Sequence, residues 1–267
     1  MDKSSADAYV YAKICGKISK TYSGKNIEKL YSVSSLSELY SLLFNEEIPA
    51  VPETLLAKQI EEKAENNFVK EYSSLLDCYD KIDDLLITLL HFYDYNNLKT
   101  IAAALCLHES QLPNVMELGK YSLLKYEKWP DIAKITENTE LSWYNKIPLL
   151  EEQQILDTKL DFQYLTNLWN CACRQDLSVR EQTKKIIRNE IVFNNIVWAL
   201  RLKVYYRFND ERIVDKLFFK EQKKSKGDLF AGEALKILKK DISNHEEWKN
   251  WKYCSSLNPV TKGVQWQ

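Results

Sequence analysis

Asp94, together with His91 or Asp84, could pass a proton in a polar pocket between long helices, since imidazole and carboxylate side chains are the usual acid–base pair at neutral pH. Three other groups could do chemistry. Cys171 and Cys173 offer two soft ligands two positions apart. Gly16-Lys17 offers a glycine and a cation to a phosphate, and Asn96-Asn97 and Asn194-Asn195 offer amides to a ligand.

Most of these readings fail on spacing. Neighbours two apart on a helix diverge by about 200°, so Cys171 and Cys173 do not readily share a metal, and no second Cys/His pair stands nearby. Gly16-Lys17 lacks the earlier glycine and the following Ser or Thr of a phosphate-binding loop. His91, His108 and His245 are isolated, without a His-Glu-x-x-His pair. Asp83-Asp84 and Glu151-Glu152 fall at helix starts, where carboxylates offset the macrodipole. No catalytic, cofactor-binding or metal-ligating residue is assigned.

The asparagines need the helices around them. At about 100° per residue, Leu86, Leu90, Tyr93, Leu98, Ile101 and Leu105 form one apolar stripe, with Asn97 near its middle beside Asp94. Ile191, Val192, Ile196, Ala199 and Leu202 form another, with Asn195 near its middle. An uncompensated buried amide costs about 1–3 kcal/mol, so each is expected to hydrogen-bond to a neighbouring helix or a turn carbonyl. The expected role is a fixed interhelix register, with a ligand contact as the alternative.

The order Tyr95-Asn96-Asn97-Leu98 returns as Phe193-Asn194-Asn195-Ile196, 98 positions later, and the surrounding elements repeat as well. A first helix is predicted over Ala8–Lys20, with Tyr9, Ala12, Ile14 and Ile18 near one face. Ser34 or Ser35 then caps "SLSELYSLLF", with Glu38 three residues after Ser35 as a capping box requires. Pro49 and Pro52 mark a turn, and long helices follow over about 53–79 and 83–107 as an antiparallel core pair. Residues 108–148 carry Pro113, Pro130 and Pro148 and are expected to form short helices and turns. A second long pair spans about 151–173 and 178–207.

The chain then gives a short helix, a lysine-rich link and a helix from about Asp228. The pattern predicts a first helical unit over 1–107, a second over 108–207 and a partial third over 208–267. "GDLFAGEALKIL" starts the third unit, but no long pair with an Asn-Asn follows it.

Composition agrees with an all-α fold, because Gly and Pro number only six each and Asn-Gly turns are absent. The net charge of -1 gives no support to nucleic-acid binding. Six scattered cysteines, with no basic-then-apolar leader in "MDKSSADAYVYAKI", are read as reduced cytosolic thiols. The longest apolar stretches, such as "LLITLL", fall far short of the roughly 20 residues that cross a bilayer. Lys216, Lys220, Lys223, Lys224 and Lys226 read as a solvated linker, with an acidic partner or lipid headgroups as the alternative. Trp248, Trp251, Tyr253 and Trp266 either close the third helix group or meet another protein.

The stretches "AYVYAKICGKIS", "SLSELYSLLF", "YDYNNLKTIAAAL" and "NEIVFNNIVWALRLKVYY" together resemble the C-type subunit of V/A-type ATPases, the relative of the d-type subunit of eukaryotic V-ATPases. That family's Tyr-Asp-x-x-Asn-Leu-Lys-x-x-Leu stretch is matched by Tyr93, Asp94, Asn97, Leu98 and Lys99, with Ala102 in place of the last Leu. Its second copy is matched by Asn195, Ile196, Leu200, Arg201, Leu202 and Lys203. The resemblance covers about residues 8–240.

The resemblance implies an all-helical body of similar units around a pseudo-threefold axis. It also implies a non-catalytic rotor adaptor between the central stalk and the membrane rotor ring, with no cofactor and no transmembrane insertion. Such an adaptor would be cytoplasmic and peripheral to the membrane through the complex. The rival readings are an unrelated helical scaffold and an all-α enzyme built on Asp94.

Overall fold

The computed structural model describes residues 2–221, 224–240, 244 and 246. The chain is all-α: ten α-helices and three short 3-10 turns, with no strand, are found among the described residues. It divides into two compact units, Met1–Asp157 and Thr158–Gln267.

In the first unit, α1 (Lys3–Ile18) starts earlier than predicted because Asp2 caps it, accepting from Ser5 N at 3.1 Å. The predicted apolar face is also corrected. Ala6 and Val10 are its buried residues, whereas Tyr9, Ile14 and Ile18 are exposed and Ala12 is open to solvent. The inward side is chosen by polar ties to the rest of the unit: Tyr79 donates to Asp7 at 2.9 Å, and Lys17 pairs with Glu71 at 2.6 Å.

A four-residue helix α2 (Glu28–Tyr31) precedes α3 (Leu36–Phe44). Ser35 Oγ caps α3 by accepting from Glu38 N, and the Glu38 carboxylate reaches back to accept from Ser34 N at 2.8 Å. Two orphan amides at this terminus are thus satisfied. Asn45, in the left-handed region at φ 51°, ends the helix.

The long pair is α4 (Glu53–Leu76), which follows Pro52, and α5 (Asp84–Cys106), capped by Asp83 accepting from Leu85 N. Val69 and Leu76 of α4 meet Leu90 of α5, together with Leu118 and Tyr121 from the following loop, in one apolar cluster. A smaller cluster joins Tyr40 of α3 to Leu56 and Ile60 of α4. The predicted stripe on α5 faces inward: Leu90, Leu98, Ile101 and Leu105 are all buried.

Residues 107–149 form short turns and α6 (Ile132–Ile135), whose cap Asp131 accepts from Lys134 N at 3.2 Å. The helix α7 (Leu150–Cys173) begins in the first unit and ends in the second.

The second unit carries α8 (Leu177–Val204), α9 (Asp210–Val214) and α10 (Gly232–Ile237). Its core joins Val192, Ile196, Ala199 and Leu202 of α8 to Ile213, Leu217, Ala234 and Leu235. Four rings add to it in a chain: Phe162 against Phe218, Phe218 stacked on Phe230 at 5.4 Å, and Phe230 edge-on to Trp169 at 5.0 Å. Trp248, Trp251, Tyr253 and Trp266, with Lys223, His245 and Cys254, lie outside the described residues.

Candidate functional site

Asn97 is 5% exposed in the middle of α5. Its Nδ2 donates to Met116 O at 2.7 Å and its Oδ1 accepts from Met116 N at 2.9 Å. One side-chain amide thus satisfies both backbone polar groups of a single loop residue, which a loop packed on a helix cannot do for itself. Nδ2 also donates to the Tyr126 hydroxyl at 2.7 Å.

Asn195 repeats the arrangement on α8. It is 5% exposed, Nδ2 donates to Phe218 O at 2.8 Å, and Oδ1 accepts from Phe218 N at 2.9 Å. In both units the amide binds backbone 19 or 23 residues further along the chain. The two asparagines clamp the loop that leaves each long helix.

The copies differ one turn earlier. Asp94 is fully buried, and its carboxylate accepts from Leu123 N at 2.7 Å, Ser122 Oγ at 2.8 Å and the Tyr126 hydroxyl at 3.1 Å. Burial pushes this carboxyl above the usual range, against the opposing pull of those hydrogen bonds and of nearby His91. Burial and the Asp94 charge also push the Tyr126 phenol up. At the corresponding place on α8 stands Val192, 2% exposed and packed in the apolar core.

The second unit has a carboxylate clamp elsewhere. Asp228 is 8% exposed and accepts from the backbone of Lys220 at 3.0 Å, Phe230 at 2.8 Å and Ala231 at 2.9 Å, and from Glu221 N at 3.2 Å.

The proposed proton-transfer set is brought together only in part: His91 lies near enough to Asp94 to pull on its carboxyl, and Asp84 does not. Asp84 is exposed in the first turn of α5, about 15 Å of helix away from Asp94 at 1.5 Å per residue. His91 Nε2 lies 3.0 Å from Tyr121 O. The Asp94 oxygens are taken up by internal donors.

The remaining signature residues divide by face. Leu98 and Ile196 are fully buried, Lys99 is half-buried, and Arg201 is exposed on α8. Cys171 is buried, with Arg174 Nη2 donating to its sulfur at 3.4 Å, and Cys173 is half-buried; no group of three metal-ligating side chains is found among the described residues. Of the lysine run, Lys224 pairs with Asp215, while Lys216 is half-buried and Lys220 and Lys226 are exposed.

Sequence reasoning missed the partners Met116 and Phe218, the triad Ser122, Leu123 and Tyr126, and the Asp228 clamp. Asp228 carried a usable signal. Ser35, Asp131 and Asp228 stand 96 and 97 residues apart, and each accepts from a backbone amide two or three residues on.

The surface holds the rest of the candidate site. In the first unit, Tyr9, Tyr11 and Ile18 of α1 are 50%, 72% and 57% exposed, and Leu149, Leu150 and Ile155 stand out at the start of α7. In the second, Leu177, Ile186, Tyr205 and Tyr206 are exposed along and just beyond α8. Apolar side chains mark a protein contact surface where they gather into one patch, whereas scattered ones are ordinary on a folded chain.

The profile of the ATP synthase (C/AC39) subunit family matches residues 10–228. The chain belongs to that family. It is a relative of the C-type subunit of V/A-type ATPases, and the match takes in both asparagine clamps and ends on Asp228.

The chain is also 28% identical, over its whole length and 78% of the other's, to an uncharacterized protein of Treponema pallidum (strain Nichols). No solved structure matches it. Among the described residues, no helix is long and apolar enough to cross a membrane.

Proposed function

We propose that the chain is the non-catalytic rotor adaptor of a V/A-type ATPase, coupling the central stalk to the membrane rotor ring during proton or sodium transport. The observation that carries this reading is the family match, which runs through both long helix pairs and their clamps. The adaptor transmits torque and hydrolyses nothing itself. It sits in the cytoplasm, peripheral to the membrane through the complex, and needs no cofactor.

Torque transmission requires loops that do not slip on their helices. The two-point grips of Asn97 and Asn195 provide that kind of stiffness, since breaking either leaves backbone groups with no other partner among the described residues. The three-unit organisation over 1–107, 108–207 and 208–267 belongs to the same reading. It is supported by the repeated caps at Ser35, Asp131 and Asp228 and by the paired clamps. Leu98, Lys99, Ile196 and Arg201 complete the signature with Asp94, Asn97 and Asn195.

A tagged copy of the full chain, purified from its own cells under mild conditions, is expected to retain central-stalk and rotor-ring subunits. Recovery of intact ATPase complexes that lack the tagged chain would overturn the reading.

A further inference from the structure

Beside the Asn97 clamp the first unit opens a cleft of about 230 Å³. Glu62 and Glu65 line it from α4, Phe92, Tyr93 and Asn96 from α5, and Asn114 from the following loop. The clamped residues Asn97 and Met116 line it too, so the clamp itself places the loop wall. Among the described residues, no lysine or arginine lines the cleft.

Volume and charge together restrict the occupant. Sites for nucleotides and other ligands of that size run to about 300–1,000 Å³, so this one suits a single side chain. Two carboxylates, with no cation in the lining itself, disfavour any anion. Glu65 is exposed with no ion-pair partner among the described residues, and it lines the cleft together with Tyr93, whose phenol is pushed up by burial and by the Glu65 charge. Glu62 is oriented by Asn114, whose Nδ2 donates to it at 3.2 Å, while Lys58 stands 3.6 Å from the same oxygen on the exposed side.

Aromatic faces, carboxylates and amide oxygens are what a planar guanidinium recognises, through its ring-facing charge and its five donors. The second unit shows that the clamp does not require these residues. At the 98-residue offset of the asparagines, the lining residues Phe92, Tyr93 and Thr100 are replaced by Glu190, Ile191 and Trp198, and Asn195 still grips Phe218.

We propose that this cleft is the binding site for an arginine side chain presented by a partner protein. A free guanidine held by exposed carboxylates would bind weakly, because it gives up its own translational freedom for few contacts. An arginine tethered to a larger interface avoids that cost, which is why such residues serve as anchors. The assignment does not depend on which assembly the chain joins.

The test is an amide-detected NMR titration of the full chain with N-acetyl-arginine amide, run beside the neutral isostere N-acetyl-citrulline amide and the polyamine spermidine. The expected result is saturable, millimolar binding of the arginine compound, read at the Asn96 and Asn114 side chains and absent with citrulline. Glu65→Gln, whose carboxylate anchors nothing else, is expected to weaken it about tenfold with an unchanged unfolding midpoint. Three results would each overturn the proposal: no saturation up to about 50 mM, equal binding of citrulline amide, or an unaffected Glu65→Gln variant. Tighter binding of spermidine than of the arginine compound would overturn it as well, by making a soluble polyamine the occupant.

Discussion

Asn97 holds Met116 by both of its backbone polar groups, at 2.7 and 2.9 Å, and so fixes the loop that follows α5. Asn195 does the same for Phe218, whose ring stacks on Phe230, so in the second unit the grip also seats a buried aromatic. The same amide chemistry therefore sets loop position in one unit and core packing in the other.

Truncating either asparagine to alanine leaves a buried N–H and C=O unpaired. Each variant is expected to lose about 2–3 kcal/mol of stability, measured as a shift in urea midpoint. Asn97→Asp keeps the acceptor for Met116 N but sets a carboxylate against Met116 O, so it is expected to lose a comparable amount. A midpoint equal to that of the unaltered chain for Asn97→Ala would show that water replaces the clamp without cost.

Asp94 gives stability a distinctive pH dependence. Burial raises its folded-state value above the ordinary 3.8, so the native chain takes up this proton before the unfolded chain does as the pH falls. The native state then binds more protons, and the contribution of this group to stability rises on acidification from the raised value down to 3.8. Urea unfolding at a series of pH values should show that rise relative to Asp94→Asn, levelling below 3.8. A relative fall instead would mean that the three hydrogen bonds outweigh burial.

Exchanging the residues that distinguish the two copies should fail in both directions. Asp94→Val strands Leu123 N, takes the carboxylate from the Tyr126 hydroxyl and leaves Ser122 Oγ its longer bond to Leu124 O, at an expected loss of about 2–4 kcal/mol. Val192→Asp places a carboxylate among Ile196, Ala199 and Leu202 without those donors, and its loss is expected to be at least as large. Thermal unfolding of the two variants side by side checks the order.

Gly232 permits a close backbone approach. A Cβ there would lie 2.8 Å from Lys226 O, a backbone atom that cannot swing aside. Gly232→Ala is expected to lose about 1–3 kcal/mol. By contrast Gly16→Ala, inside α1 with nothing within 4 Å, is expected to gain about 0.5–1 kcal/mol. Comparing the two by chemical denaturation separates contact from intrinsic helix propensity.

By itself the sequence determined the helices, the apolar stripes on α5 and α8, the cap at Ser35 and the burial of Asn97 and Asn195, because all of these follow from residue type and the 3.6-residue period. It also determined the family, since the order and spacing of several short stretches survive without any coordinates. The partners of the buried groups were decided only by the tertiary structure. Met116, Phe218 and the triad around Asp94 lie 19 to 32 residues away from the groups they bind, and no local periodicity reports which loop atom meets a helix face. The inward side of α1 was likewise decided by the Tyr79–Asp7 and Lys17–Glu71 contacts rather than by its own pattern, since a helix with apolar residues on more than one side can turn any of them to the core.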